Sequence, residues 1–247
     1  MLNLKNKYCL VTGCNGYIGH AITKKLKILG AKVIGIDILE NKKNSNLFHF
    51  IKMDLEDKKE IDQLKGLLNK KFKKIDVLVN NAGYVGTSEI TKKNDNKTFY
   101  NEKYLRLNLT HTVYLTTSLI PFLKKSKSAS IINICSIYAS LAYDYNLYKE
   151  TEMNTPLAYG VSKAGLMHYT KMLSTALGPK IRANSISPGG IFRHQPKKFI
   201  KRYLSKTPLM RMGHENDVAN TVIFLSSELS SYMTGQNLIV DGGYSAS

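Results

Sequence analysis

The sequence predicts an α/β fold, a doubly wound parallel sheet in a single domain spanning residues 1–247. Short β-branched runs alternate with amphipathic stretches along the whole chain, as repeated βα units do. Several of the runs are apolar throughout and end in polar or glycine residues, the pattern of parallel strands buried on both faces. No internal repeat, low-complexity block or proline-rich linker divides the 247 residues, a length that buries a substantial core.

The elements follow in order. YCLVTG at 8–13 reads as a strand, YIGHAITKKLKILG at 17–30 as a helix closed by Gly30, and AKVIGID at 31–37 as a second strand. FHFIKMDL at 48–55 gives a third. KKEIDQLKGLLNKKF at 58–72 has helical periodicity, with Ile61, Leu64, Leu67, Leu68 and Phe72 on one side. IDVLVNNAG at 75–83, SIINICS at 130–136 and RANSISPGG at 182–190 are the buried runs. A helix over 217–228 and a strand in QNLIVDGG at 236–243 close the chain.

Composition excludes several classes of function. The apolar fraction of 43% and charged fraction of 22% are ordinary for a globular protein. The formal net charge of +18 is high, but its lysines are scattered and no nucleic-acid-binding signature accompanies them. Solvated basic faces are therefore expected, with no nucleic-acid partner. MLNLKNKYCLVTG moves into a strand almost at once, unlike a signal peptide, and no apolar run is long enough to span a bilayer. Cys9, Cys14 and Cys135 are odd in number and lack metal-ligand spacing. A reduced cytoplasm, no membrane and no metal are the expectations.

VTGCNGYIG ends the first strand and opens the first helix. Gly13, Gly16 and Gly19 allow a tight turn, close approach to a pyrophosphate and close helix–strand packing, with the positive helix end facing the phosphates. Asn15, Tyr17 and Ile18 lie within that turn. Asp37 closes the second strand 18 residues after Gly19, where a carboxylate accepts from ribose hydroxyls and repels a 2′-phosphate. NAD is thus expected over NADP, with Lys42 and Lys43 as the opposing signal.

Further motifs accumulate: MDL at 53–55, NNAG at 80–83, LN at 107–108, NICS at 133–136, YGVSK at 159–163, ISPGG at 186–190 and VDGG at 240–243. Together with TGCNGYIG they span nearly the whole chain, which resembles a short-chain dehydrogenase/reductase with a Rossmann-type domain. The resemblance implies that Asp54 and Leu55 hold the adenine and that Asn80 with Gly83 supports the cofactor and central strand. Asn81, Ala82, Pro188, Gly189 and Ile191 would also touch the cofactor. Asn108, Ser136, Tyr159 and Lys163 would form the catalytic tetrad, the last two also holding cofactor. Ser136, Tyr138, Tyr159, Arg193 and His194 would meet substrate. Helices over 97–123 and 157–177 and the C-terminal segment match family segments that pack into homotetramers or homodimers.

The chemistry gives these residues reasons. Oxidising an alcohol needs a base for the hydroxyl proton while the nicotinamide takes the hydride. Free tyrosine has a pKa near 10, and lowering it to near 7 takes roughly 4 kcal/mol. The ammonium of Lys163, one helical turn away, is expected to supply much of this. By resemblance, Ser136 would bond the reacting oxygen, Asn108 would anchor a water relay to Lys163, and Lys163 would hold the nicotinamide ribose.

Three departures stand out. The G-x-x-G-x-x-G spacing is more usual in the sugar-nucleotide-modifying branch of the family, whose larger substrate domain this chain is too short to hold. The interval from Ser136 to Tyr159 is long, carrying Tyr138, Tyr143, Tyr145 and Tyr148 in an insertion at about 137–156. After SPGG, Arg193 stands where the family often has a threonine, in a segment at about 190–210 that also carries His194, Lys197, Lys198, Lys201 and Arg202. That cationic segment suits phosphate or carboxylate groups. The insertion and ISPGGIFRHQP further resemble bacterial members of surface-sugar or flagellin-glycan pathways, implying a carbohydrate-like alcohol or ketone such as a sugar phosphate or nucleotide sugar. The alternatives are an epimerase or dehydratase that retains NAD, and a non-enzymatic dinucleotide-sensing protein.

Overall fold

A computed structural model describes residues 3–40, 44–84 and 102–246. Lys42, Lys43 and positions 97–101 of the helix expected over 97–123 lie outside the described residues. The strands are β1 (Tyr8–Thr12), β2 (Lys32–Asp37), β3 (His49–Lys52), β4 (Val77–Asn80), β5 (Ala129–Ile134), β6 (Ile181–Pro188) and β7 (Asn237–Val240). They form one parallel sheet in the order β3-β2-β1-β4-β5-β6-β7. The winding reverses where β1 pairs with β4, and such a switch point opens a crevice beyond the carboxyl ends of the strands.

Helices α1 (Tyr17–Ile28), α2 (Lys58–Lys71), α3 (Glu102–Leu105), α4 (His111–Leu123), α5 (Leu157–Leu177), α6 (Lys197–Leu204) and α7 (Glu215–Ser226) complete the fold. One face of the sheet packs Leu10, Leu78 and Ile131 against Ile61 and Leu68 of α2, Leu119 of α4 and Leu173 of α5. The other packs Val11, Val79 and Ile132 against Ile22 and Leu26 of α1 and Val218 and Val222 of α7. Alternation along each central strand feeds both cores, so β4 and β5 are buried at every position.

Local signals set the boundaries. Asp57 caps α2 by accepting from Lys59 N, and Lys70 and Lys71 sit in its last turn. Gly30, at φ +83°, follows α1 as expected. The third strand is shorter than the run over 48–55 suggests. It ends at Lys52, because Asp54 folds its carboxylate back onto Glu56 N at 2.8 Å and starts a turn.

A five-residue π turn, Arg106–Thr110, interrupts the helical run between α3 and α4. Such turns leave the regular i→i+4 ladder and recur at functional sites. The buried Asn108 lies inside it.

Candidate active site

The turn after β1 is shaped by what glycine lacks. Gly13 has φ +62°, and a Cβ on Gly19 would stand 2.0 Å from Gly13 O. No side chain caps α1 and no acidic residue sits in its first turn, so its leading N–H groups face the crevice as anion donors. An open cleft of about 390 Å³ runs along this turn beside Asn15, Gly16 and Tyr17. Ile18 packs against the α1/α7 core. Asp37 accepts from Asn15 N at 2.9 Å and Leu39 N at 3.1 Å, which fixes its carboxylate beside the turn.

These residues fit a dinucleotide: an uncapped helix end for phosphates and, at the next strand end, a carboxylate for a ribose diol. Gly19→Ala should weaken dinucleotide binding at least ten-fold by calorimetry, because its methyl must displace backbone rather than a mobile side chain.

The loop after β4 leads from this turn to the tetrad. Thr12 Oγ1 accepts from Asn81 N at 3.0 Å and Ala82 N at 2.9 Å. Asn81 Nδ2 donates to the Thr12 and Gly13 carbonyls. A Cβ on Gly83 would lie 3.2 Å from Asn108 Oδ1 and 3.4 Å from Lys163 Nζ, so only glycine leaves this corner open. Asn80 stays inside the core, donating to Asn133 and Thr116. Leu55 is likewise buried, while Asp54 stands half-buried beyond β3. On the far side, Pro188 ends β6, Gly189 N donates to Val240 O at 3.0 Å, and Ile191 bridges to Gly213.

Asn108, Ser136, Tyr159 and Lys163 come together from three places: the π turn, the end of β5 and the first turns of α5. All four are buried. Tyr159 and Lys163 share one face of α5, with Nζ 5.9 Å from the Tyr159 ring centroid. Lys163 Nζ donates to Ile134 O at 2.9 Å. The Ser136 hydroxyl stands near the Tyr159 hydroxyl and favours its ionised form, and Ser136 Oγ accepts from Tyr138 N at 3.2 Å. Tyr104 meets the Tyr159 ring edge-on at 6.3 Å.

Burial pushes the Tyr159 hydroxyl up to about 12, against the pull of the Ser136 hydrogen bond. Burial also lowers the Lys163 ammonium. The acidification expected from Lys163 is opposed by the desolvation of both groups. The Asn108 side chain is fully engaged by the chain. Its Oδ1 accepts from Tyr84 N at 2.7 Å, and its Nδ2 donates to Tyr84 O at 3.0 Å and Ser162 Oγ at 3.3 Å. Ser162 Oγ in turn donates to Tyr159 O, so Asn108 clamps the π turn to α5.

The insertion over 137–156 packs onto this centre. Tyr138 and Tyr148 share a hydroxyl–hydroxyl bond of 2.9 Å, and Tyr148 continues to Thr155. The Tyr143 hydroxyl donates to Pro156 O at 2.9 Å and accepts from Gly160 N at 2.7 Å, capping the start of α5. Phe199 of α6 rests on Tyr148 at 5.5 Å.

Two of the four cations of α6 and one in the turn after it are held by the same insertion: Lys198 by Glu150 at 2.5 Å, Arg202 by Glu150 and Lys149 O, and Lys206 by Asp144 at 2.5 Å. Part of the charge expected to greet an anionic substrate thus docks two segments of the chain. Arg193, expected at the substrate, contacts Tyr17 and Glu215 at the phosphate turn. His194 is exposed, at φ +58°, with its ring against Phe192.

Residues 15–245 match the family of the enoyl-(acyl carrier protein) reductases. The chain belongs to the short-chain dehydrogenase/reductase family. It is therefore an oxidoreductase of the NAD(P)-dependent class that acts on CH–OH groups. The chain is 34% identical to 3-oxoacyl-(acyl-carrier-protein) reductase FabG of Buchnera aphidicola subsp. Schizaphis graminum, covering 98% of each. It is also 34% identical to the post-translational flagellin modification protein A of Campylobacter coli, over 98% of this chain and 99% of that one. A short-chain dehydrogenase from Leptospira borgpetersenii serovar Hardjo-bovis, solved with bound NAD+, superposes with a TM-score of 0.87 at 35% identity, covering 98% of this chain and 94% of that one.

Within this short-chain dehydrogenase/reductase, several groups beside the tetrad escape sequence reading. Ile134 meets Lys163 and Tyr84 meets Asn108 through main-chain atoms, which leave no side-chain signal. Tyr143 does carry one: Gly160, inside YGVSK, marks where another group must come close, and a Cβ there would meet the Tyr143 hydroxyl at 2.8 Å. Cys9, Cys14 and Cys135 are free and buried. Among the described residues no cluster of His, Cys, Asp or Glu is placed to hold a metal, and no helix is long and apolar enough to cross a membrane.

Proposed function

We propose that the chain is an NAD-dependent oxidoreductase interconverting an alcohol and a ketone on a polar, carbohydrate-like substrate. The observation that carries the reading is the buried cluster of Ser136, Tyr159 and Lys163, with Lys163 one helical turn from Tyr159 and held by Ile134 O, beside a phosphate turn flanked by Asp37. Asp37 favours NAD over NADP by repelling a 2′-phosphate. Bound NAD supplies the hydride acceptor and, when oxidised, a positive charge near the tyrosine.

The remaining chemistry belongs to the chain. Tyr159 Oη takes the hydroxyl proton in oxidation and returns it in reduction. Ser136 Oγ donates to the developing oxyanion. Lys163, steadied by Ile134 O, contributes positive charge without moving. Asn108 and Ser162 hold α5 in register with the π turn. Burial of the tetrad excludes water from the proton transfer.

The substrate reading draws on the tyrosine-rich wall of the insertion, since aromatic faces stack on sugar rings, and on the likeness to the Campylobacter coli flagellin modification protein. Function as a homotetramer or homodimer in the cytoplasm completes the proposal.

The test is reduction of NAD or NADP, followed by absorbance, over a panel of sugar alcohols, sugar phosphates, nucleotide sugars, 3-hydroxyacyl thioesters and hydroxysteroids. Activity with NAD and a sugar derivative is expected; turnover of acyl thioesters or steroids alone would overturn the substrate class. The oxidation rate should also rise with pH between about 7 and 10, because the active base is the phenolate and burial holds its pKa high. Reduction, which uses the protonated hydroxyl, should stay flat over that range and fall above it.

A further inference from the structure

β1 and β6 are separated in the sheet by β4 and β5. A contact between the segments that leave their carboxyl ends therefore arches over the crevice between them. Arg193 makes such a contact: its guanidinium carbon lies 4.1 Å from the centroid of the Tyr17 ring, in the first turn of α1. The arm is braced at its base. Arg193 Nη1 pairs with Glu215 Oε2 at 3.3 Å, at the start of α7. Arg193 N donates to Gln195 Oε1 at 2.7 Å, and Gln195 Nε2 donates to Ile191 O at 2.8 Å, so the loop folds on itself behind the guanidinium.

Tyr17 has little reason to be aromatic on its own account, since it is 69% exposed on the helix. A planar cation over an aromatic face, next to a carboxylate that neutralises it, is a contact that opens and closes without unfolding anything.

We propose that Arg193, braced by Glu215 and laid on Tyr17, is a clasp across the dinucleotide crevice that slows cofactor release. The proposal rests on the reading of this crevice as an NAD site. A dinucleotide running from Asp37 to Lys163 passes the first turn of α1, where the clasp closes. Arg193 is a positioning residue in this role: it acts on how long the cofactor stays, and it places a second cation near the phosphates when the Tyr17 contact parts. Closure by one side chain also accounts for arginine at a position where the family often has threonine.

The experiment is the NAD dissociation rate, measured by stopped-flow displacement on the full chain, for the wild type, Arg193→Met, Tyr17→Leu and the double variant. The melting temperature of each free protein checks that it folds. Each single variant should release NAD about ten-fold faster. The double variant should release it no faster than the singles, because both remove the same contact. Arg193→Lys, which keeps the charge and loses the flat stacking surface, should fall between. Variants that fold and release NAD at the wild-type rate, or single effects that multiply in the double variant, would overturn the clasp while leaving the NAD site intact. A wild-type protein that binds neither NAD nor NADP would overturn the functional reading itself, and the clasp with it.

Discussion

Tyr159→Phe should lower kcat by about a thousand-fold while leaving NAD affinity within two-fold of wild type. The substitution removes only an oxygen. The ring stays packed edge-on against Tyr104 in its buried site, and Lys163 keeps its bond to Ile134 O. What disappears is the group that carries the proton and the partner of Ser136. The expected loss corresponds to about 4 kcal/mol of transition-state stabilisation. The rise of the oxidation rate with pH should vanish with it, since that rise follows the Tyr159 phenolate. A variant that keeps both its rate and its pH dependence would place the acid–base step on another residue. Calorimetric titration with NAD, beside steady-state rates at several pH values, separates a chemical loss from a binding loss.

Asn133→Ala should destabilise the fold by about 3 kcal/mol and lower the melting temperature by roughly 10 °C. Asn133 sits at the end of β5 with no exposed surface. It accepts from Asn80 Nδ2 at 2.7 Å and donates to Thr170 Oγ1 at 2.8 Å, linking β4 to β5 and β5 to α5. Asn80 also donates to Thr116 of α4. A truncation therefore opens a cavity and leaves two buried partners under-bonded inside a network, where each group depends on its neighbours. Asn133→Leu fills the space but strands the same partners, so a comparable loss is expected. Unchanged melting in both variants would show that packing alone holds β4, β5 and α5 together.

Much of this architecture is legible in the residue order, and particular elements show why. The runs that became β1, β2, β4, β5 and β6 are apolar and short, and α5 (Leu157–Leu177) is expected from its likeness to a family segment. The glycine turn and the tetrad are local motifs tied to the ends of those elements, so finding the elements places them. The environment of the tetrad is another matter. The rise of the Tyr159 pKa comes from burial among chain segments far apart in sequence, and the Asn108 side chain is claimed by the main chain of Tyr84. Lys198 looks like a substrate-binding or solvated cation until Glu150 folds against it, across 48 residues. Arg193 reads as a substrate contact because sequence gives its loop but not the direction of its side chain.

The turn at Arg106–Thr110 makes chain length itself a functional variable. Removing one residue there would restore regular α geometry and take away the wide turn that seats Asn108. Asn108 would lose its alignment with Tyr84 and Ser162 even with every remaining side chain intact. Substitutions nearby can be absorbed one contact at a time, but a deletion cannot. At this point the enzyme tolerates spelling changes more readily than a missing letter.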